Sequence, residues 1–315
     1  MSVFCDTGPV AKLLADGKRL HLQHGPIDLI IEAFGAHQDI EAAYRRAETV
    51  FRPTLVSLVD ELPVLRAPTL LERRPRGAIA LRMWRASLAH AAESFVTPMA
   101  AVAGAVADHV LAAMLDGGNL SRAYVNNGGD IALYIGEGQV FDIGVCAEPR
   151  QGNPSAFVRI DAVSGIGGVA TSGWDGRSHS LGIADAVTVL ANDAAGADAA
   201  ATLIANRVDI PGGEVIKRRP ASDLSSDSDL GDRLVTVGVG DLPPEDMALA
   251  LVGGAEIAED MCERGLIRAA FISLQGRSVS VTDGGIEAPL SSPVPGTGAA
   301  TEGTDIEHQR VGRTV

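Results

Sequence analysis

Aromatic side chains are scarce in this chain, with two Trp, three Tyr and seven Phe among 315 residues. A core with so few large rings must be built from Ala, Val, Leu and Ile, whose small volumes let backbones approach closely. Cysteine is scarcer still: only Cys5, Cys146 and Cys262 are present. Three cysteines so far apart make neither a disulfide framework nor a closely spaced metal motif, which fits a reducing compartment. Positive charge is also in deficit, with 26 Lys and Arg against 40 Asp and Glu and a formal net charge of −14. Nucleic-acid binding depends on clustered cations that release counter-ions, so neither nucleic acid nor an anionic membrane is an expected partner. No basic segment followed by an apolar one opens the chain. The longest apolar run, residues 99–115, contains Asp108 and His109 and is short for a membrane span. The expectation is an acidic, cytoplasmic, globular protein.

Glycine is plentiful, at 36 residues, and 16 prolines accompany it. Residues 19–34 read as a strand, a turn at Gly25-Pro26, and a second strand or helix. A helical pattern over 40–62 should break or kink at Pro53. Thr97 reads as a hydroxyl cap and Pro98 as the first position of a helix that stops at Gly117-Gly118. On that helix Ala100, Ala103, Gly104 and Ala107 form a small-residue stripe, which can face either the core or a second copy in a homo-oligomer. Strands are expected at 123–126, 131–135, 140–145, 157–163, 168–171, 186–190, 234–239 and, as the last, 266–274. Helices are expected at 198–208 and 244–264, with a polar stretch at 217–232 that includes SDLSSDSD. Mixed strands and helices without strict alternation predict one α+β domain over residues 1–282. Residues 283–315, rich in Gly, Pro, Thr and Glu without a period, read as a disordered tail.

Five places have residues suited to chemistry. Between Arg45 and Arg85 nine arginines face four acids, either as a solvated helix face or as an anion site. Asn126-Asn127-Gly128-Gly129-Asp130 is either a tight hairpin or a turn whose backbone approaches a phosphate or a flavin edge. The loop 164–173 contains GIGG and ends in Thr171-Ser172-Gly173, but lacks the third glycine of a dinucleotide fingerprint. It leads to Ser178 and His179, a residue type poised for proton transfer near neutral pH, and to Asp185, which is otherwise a turn cap. Asp198 and Thr202 lie four apart, on one helical face. They read either as a helix cap with a back-bonded hydroxyl or as oxygen ligands for Mg²⁺, which would need further carbonyl or phosphate oxygens.

In sequence order, NNGGDIALYIGEG, VATSG, a following His, AVTVLA and ADAAAT resemble the ApbE superfamily of FAD-dependent flavin transferases. Within it, GPIDLIIEA, FVTPMAAVAGAVAD and SHSLGIADAVTV are similar to blocks of an ApbE-like branch of unknown function. The resemblance runs over roughly residues 20–277. It implies an α+β fold with sheets covered by helices and a ligand cleft between halves. It also implies Mg²⁺ on Asp198 and Thr202, and FAD or a flavin-like ligand lined by Asn127, Gly128, Gly129, Asp130, Thr171, Ser172, Gly173 and Asp185. His179 and Asp198 are the implied catalytic residues, and Asp108 matches an acidic position on the family's helix. The family's D-P-x-T-G block is replaced here by Ser180–Asp185, and its K-G pair by Ala103-Gly104. FMN transfer or FAD pyrophosphate hydrolysis is one activity that the resemblance implies. A binding or assembly protein without turnover, or an enzyme acting on a pterin-like aromatic, is the alternative.

Overall fold

A computed structural model describes residues 8–145, 156–212, 215–283, 285–287 and 310–311. Its main sheet is laid down almost in chain order. Ten antiparallel strands run β1 (Val10–Leu13), β2 (Leu20–His24), β3 (Ile27–Gly35), β4 (Leu120–Asn127), β5 (Asp130–Ile135), β8 (Gly168–Ser172), β9 (Ala186–Ala191), β12 (Ala269–Leu274), β13 (Arg277–Thr282) and β14 (Gly285–Glu287). Between β3 and β4 the chain passes through α1 (His37–Phe51), α2 (Thr54–Val59), α3 (Leu62–Leu65), α4 (Ala78–Leu88), a 3₁₀ turn (Pro98–Ala101) and α5 (Val102–Leu115). Between β9 and β12 it passes through α6 (Ala194–Arg207), a ribbon of β10 (Ile216–Pro220) and β11 (Leu234–Val239) enclosing α7 (Ala221–Leu224), and α8 (Pro244–Glu263). Each half of the sheet is thus a hairpin, a helical excursion and a second hairpin. The α+β expectation holds.

Alternation sets which strand faces are covered. In β2 the sequence LHLQH buries Leu20 and Leu22 and leaves His21 and Gln23 half-buried. On the opposite face Tyr124, Leu133, Phe141 and Ile160 form a smaller core beneath the pair β6 (Val140–Val145) and β7 (Ala156–Asp161). The apolar strand β9 is buried along its whole length, as a strand covered on both faces must be.

The shortage of aromatics is resolved where α5 meets α6. A Cβ added to Gly104 would lie 2.1 Å from the carbonyl oxygen of Ala194. The small-residue stripe therefore faces the core. Residues Pro98–Leu115 are long and apolar enough to cross a membrane by length and composition, and here this segment packs against α1, α4 and α6. The two helices also cap one another. Asp108 of α5 accepts from the first two N–H groups of α6, Ala194 at 3.1 Å and Ala195 at 2.9 Å. Asp198 of α6 accepts from Gly104 N in the first turn of α5 at 3.0 Å. Both carboxylates lie against N–H groups that have no partner within their own helices, where negative charge is favoured.

Several local expectations change. The helix containing Asp198 begins four residues earlier, capped by Asp193, which accepts from Gly196 N at 2.7 Å, so Asp198 is not its cap. Thr97 caps nothing: its hydroxyl donates to the Asp229 carboxylate, a charge-assisted bond available because residues 225–232 fold against it. Pro53 divides the helical pattern, ending α1 at Phe51 and starting α2 at Thr54. Strands β1 and β10 and helix α4 carried too little periodic signal to be expected, and β12 is followed by β13 and β14 and by a two-residue strand, Arg310–Val311, that pairs with β6. Most of the expected tail, 283–315, lies outside the described residues, although Gly285–Glu287 pairs with β13.

Candidate functional site

A cleft of about 1240 Å³ opens between the helical excursion of the first half and the β4–β5 turn, the loop after β8 and α6. Its polar wall begins at the β4–β5 turn. Asn127 and Asp130 pair across a two-residue connection in which Gly128 has φ +66° and Gly129 φ +118°. Positive φ at both central positions matches the twist of a hairpin and excludes most other residues. The tight hairpin is present, and three of its residues, Asn127, Gly128 and Asp130, also line the cleft. Asn127 Nδ2 donates to Ala103 O at 3.0 Å, tying the turn to the start of α5. Asp130 accepts from Thr171 N at 3.3 Å, tying it to the end of β8.

The end of β8 and the loop after it bring Thr171, Ser172 and Gly173 to the cleft. Gly173 is demanded by packing, because a Cβ there would meet Asp185 O at 2.3 Å. Asp185 is no turn cap. Its carboxylate accepts from the Trp174 indole at 3.2 Å and from Gln275 N, bracing the loop while lining the cleft. The GIGG glycines serve the fold instead of a ligand. A Cβ on Gly167 would sit 2.3 Å from Asn192 O, and one on Gly168 2.1 Å from the Asp193 carbonyl carbon.

Asp198 and Thr202 complete the polar wall, one helical turn apart on α6. Burial pushes the Asp198 carboxyl well above the usual carboxylate range, and the charges of Asp130 and Asp108 push it the same way. The N–H groups of Gly104 and Ala103 oppose the shift. Such a carboxylate is poised to gain from a cation. Among the described residues no group of three or more His, Cys, Asp or Glu forms a metal cage. The available donors are therefore two carboxylates and a hydroxyl, an all-oxygen set suited to a hard cation that keeps water or ligand oxygens.

Two sequence-predicted residues stand apart. His179 is exposed and does not line the cleft, although its neighbours Arg177 and Ser178 do. Gly129 shapes the hairpin turn without lining the cleft.

The opposite wall is apolar and was not read from the sequence. Leu55, Leu58, Leu62 and Leu65 of α2 and α3 face the cleft, with Met99 and Val106 beside them. Leucines on short helices carry no mark that separates a ligand wall from a core. The arginine cluster divides in a similar way. Arg46 donates to Ala113 O and Met114 O at the C-terminus of α5, Arg45 pairs with Glu41 and Arg52 with Glu48. Among its nine members Arg66 alone lines the cleft. Arg177 was passed over within its loop. Its guanidinium lies on the hairpin turn, 2.4 Å from where a Cβ of Gly128 would be.

The fold and cleft define an α+β domain with a two-faced pocket. A family profile described as "AbpE bacteria" matches residues 11–280, and the chain belongs to that family. Curated relatives include a UPF0280 protein of Methanothrix thermoacetophila, 37% identical over 163 residues, 51% of this chain and 60% of that protein. A UPF0280 protein of Archaeoglobus fulgidus is 32% identical over 177 residues, 54% of this chain and 69% of that protein. The first match thus spans about three-fifths of its relative's length. Among solved structures, the flavinyl transferase ApbE of Pseudomonas stutzeri aligns with 90% of this chain and 97% of its own, at 14% identity and TM-score 0.36. The apbe protein of Thermotoga maritima aligns with 89% of this chain and 96% of its own, at 14% identity and TM-score 0.39. Superpositions of that quality add no argument about the site.

Proposed function

We propose that the cleft binds a flavin nucleotide, FAD or a related phosphate ester, together with Mg²⁺. The observation that carries this reading is the division of one cleft into an aliphatic wall and an oxygen-rich wall that holds the half-buried Asp198 and Thr202. A ligand that fits both walls has a flat apolar part and an anionic part. Membership of the ApbE-like family and the motif resemblance support a flavin over other ligands of that shape.

In this reading Leu55, Leu58 and Leu62 cover the ring system and exclude water from it. Asn127 and the Gly128 turn set how deeply the ligand enters. Asp198, Thr202 and Asp130 would hold the metal, with remaining positions taken by phosphate oxygen and water. Bound there, Mg²⁺ would neutralise charge at a pyrophosphate, the requirement for phosphoryl transfer. FMN transfer or pyrophosphate hydrolysis is the reaction this arrangement suits. A second reading, binding without turnover, is favoured by one feature: His179 lies outside the cleft lining, so no histidine of that loop reaches the ligand.

The test is flavin fluorescence quenching with FAD, FMN and riboflavin, with and without Mg²⁺, followed by chromatography for FMN and AMP. Asp198→Asn keeps an acceptor for Gly104 N and should fold. It should lose Mg²⁺-dependent flavin binding by about 100-fold, the scale on which residues around a metal act. Flavin binding unaffected by Mg²⁺ and by Asp198→Asn would overturn the metal assignment, and no binding of any flavin would overturn the whole reading. Appearance of FMN and AMP from FAD decides between turnover and binding alone.

A further inference from the structure

Two guanidinium groups line the cleft, and they are in different states. Arg177, from the loop after β8, makes no hydrogen bond or ion pair among the described residues and rests against the Gly128 turn. Arg66, which follows α3, is already engaged: its Nη2 donates to Asp227 Oδ2 at 2.7 Å. Asp227 belongs to the SDLSSDSD stretch, which the proposed function leaves without a role.

That stretch runs from α7 toward β11 in the second half of the molecule, yet with Arg233 just beyond it the segment is fastened to the first half at three places, one of them the cleft residue Arg66. Asp227 takes Arg66, and Asp229 takes the buried Thr97 hydroxyl beside Pro98 and Met99. Arg233 stacks over Phe95, its guanidinium carbon 3.3 Å from the ring centroid. Within the stretch Ser225 Oγ donates to Asp227 Oδ1 at 2.8 Å, holding that carboxylate ready for Arg66. Both partners of the Arg66–Asp227 pair are open to solvent, Asp227 at 64%. Exposed ion pairs of this kind contribute little and exchange readily. A phosphate, with more acceptor oxygens and the planar match that guanidinium favours, competes effectively for the same arginine.

We infer that Arg177 and Arg66 are the cleft's anion-reading residues, selecting a phosphate-bearing ligand, and that Asp227 occupies Arg66 until the ligand's phosphate displaces it. This rests on the cleft being the ligand site proposed above, and it names which part of the ligand is selected and what competes with it. An acidic protein gains from such a device. With Asp130, Asp175, Asp185 and Asp198 also lining the cleft, a free phosphate meets net repulsion unless cations are placed for it. A resident carboxylate keeps Arg66 oriented and prevents it from pairing with those aspartates.

The test uses inorganic pyrophosphate as the probe, titrated calorimetrically into the full chain with Mg²⁺ present. Arg177→Ala and Arg66→Ala should each weaken binding about tenfold or more, as loss of a charged hydrogen bond does. Asp227→Asn should tighten binding at least about threefold, because a neutral amide holds a guanidinium less firmly than a carboxylate. Asp223→Asn removes the same charge from the same stretch, where the partner is Arg219 instead of the cleft arginine. It should leave the affinity unchanged. Equal tightening by Asp223→Asn and Asp227→Asn would reduce the effect to net charge and overturn the displacement. Wild-type affinity in both arginine variants, or no pyrophosphate binding by the wild type, would overturn the anion assignment. A parallel titration with FMN and riboflavin separates the two proposals. If pyrophosphate responds as expected and neither flavin binds, the flavin reading fails while the anion site stands.

Discussion

The two walls of the cleft are built by different means. The polar wall comes from a hairpin turn, a strand-end loop and one face of α6, and its side chains are held by bonds to backbone: Asn127 to Ala103, Asp130 to Thr171, Asp185 to Gln275 and Asp198 to Gly104. The apolar wall comes from α2 and α3, six and four residues long, whose leucines are held by contact alone. Polar groups need defined partners and so fix geometry, whereas apolar contact is non-directional and tolerates adjustment. Under the proposed function the difference divides the tasks: the rigid wall is suited to charge and oxygen positions, and the compliant wall to a ring system. The walls are joined where α5, carrying Val102 and Val106, meets α6, carrying Asp198 and Thr202.

Breaking that junction should have the largest effect. Gly104→Ala places a Cβ within 2.1 Å of Ala194 O, with the Ala194 carbon and Ala195 nitrogen nearly as close. Backbone atoms cannot move aside cheaply, so stability should fall by about 3 kcal/mol or more, measured by denaturant unfolding. An unchanged midpoint would show that the helices separate freely.

The same junction should respond to pH. Burial, and next the charge of Asp193, raise the Asp108 carboxyl from 3.8 to about 6. Below pH 3.8 it is neutral in both folded and unfolded chains. As pH rises toward 6 the unfolded chain ionises first, so the stability this group contributes is lost over that interval, by up to about 3 kcal/mol. Melting temperature followed from pH 4 to 7 should show a fall that Asp108→Asn flattens, and parallel profiles for the two proteins would contradict the shift.

The smallest effect separates the walls. Val59 lines the cleft and is 49% exposed, so Val59→Asp should leave stability nearly unchanged. Loss of its apolar contact, worth about 1.5 kcal/mol, should weaken riboflavin and FMN alike by about tenfold. A change confined to FMN would mean that the apolar wall contacts the phosphate end.

Legibility from sequence followed the same division. Asn-Gly-Gly-Asp, Thr-Ser-Gly and the Asp198/Thr202 spacing are short-range patterns with a local physical meaning, and all three meet at the cleft. Arg66 was visible only as one of nine arginines, and what separates it from Arg46, which caps α5, is where α3 delivers it. Gly167 and Gly168 looked like ligand glycines, but the backbone they approach lies more than twenty residues away in sequence. Asp198 looked like a helix cap until Asp193 proved to hold that place, leaving Asp198 to receive the N–H of a different helix.

By itself the sequence determined the α+β class, the order of most strands, the break at Pro53 and the chemistry of the polar wall. These are set by alternation, by proline's missing N–H and by side-chain type, all of which act within a few residues. The tertiary structure decided that α2 and α3 face a cleft, that Gly104 exists for a helix crossing, and that Asp227 rests on Arg66. Those outcomes depend on which surfaces meet across 90 to 160 residues of chain. No local pattern encodes them, because close packing is a property of both partners together.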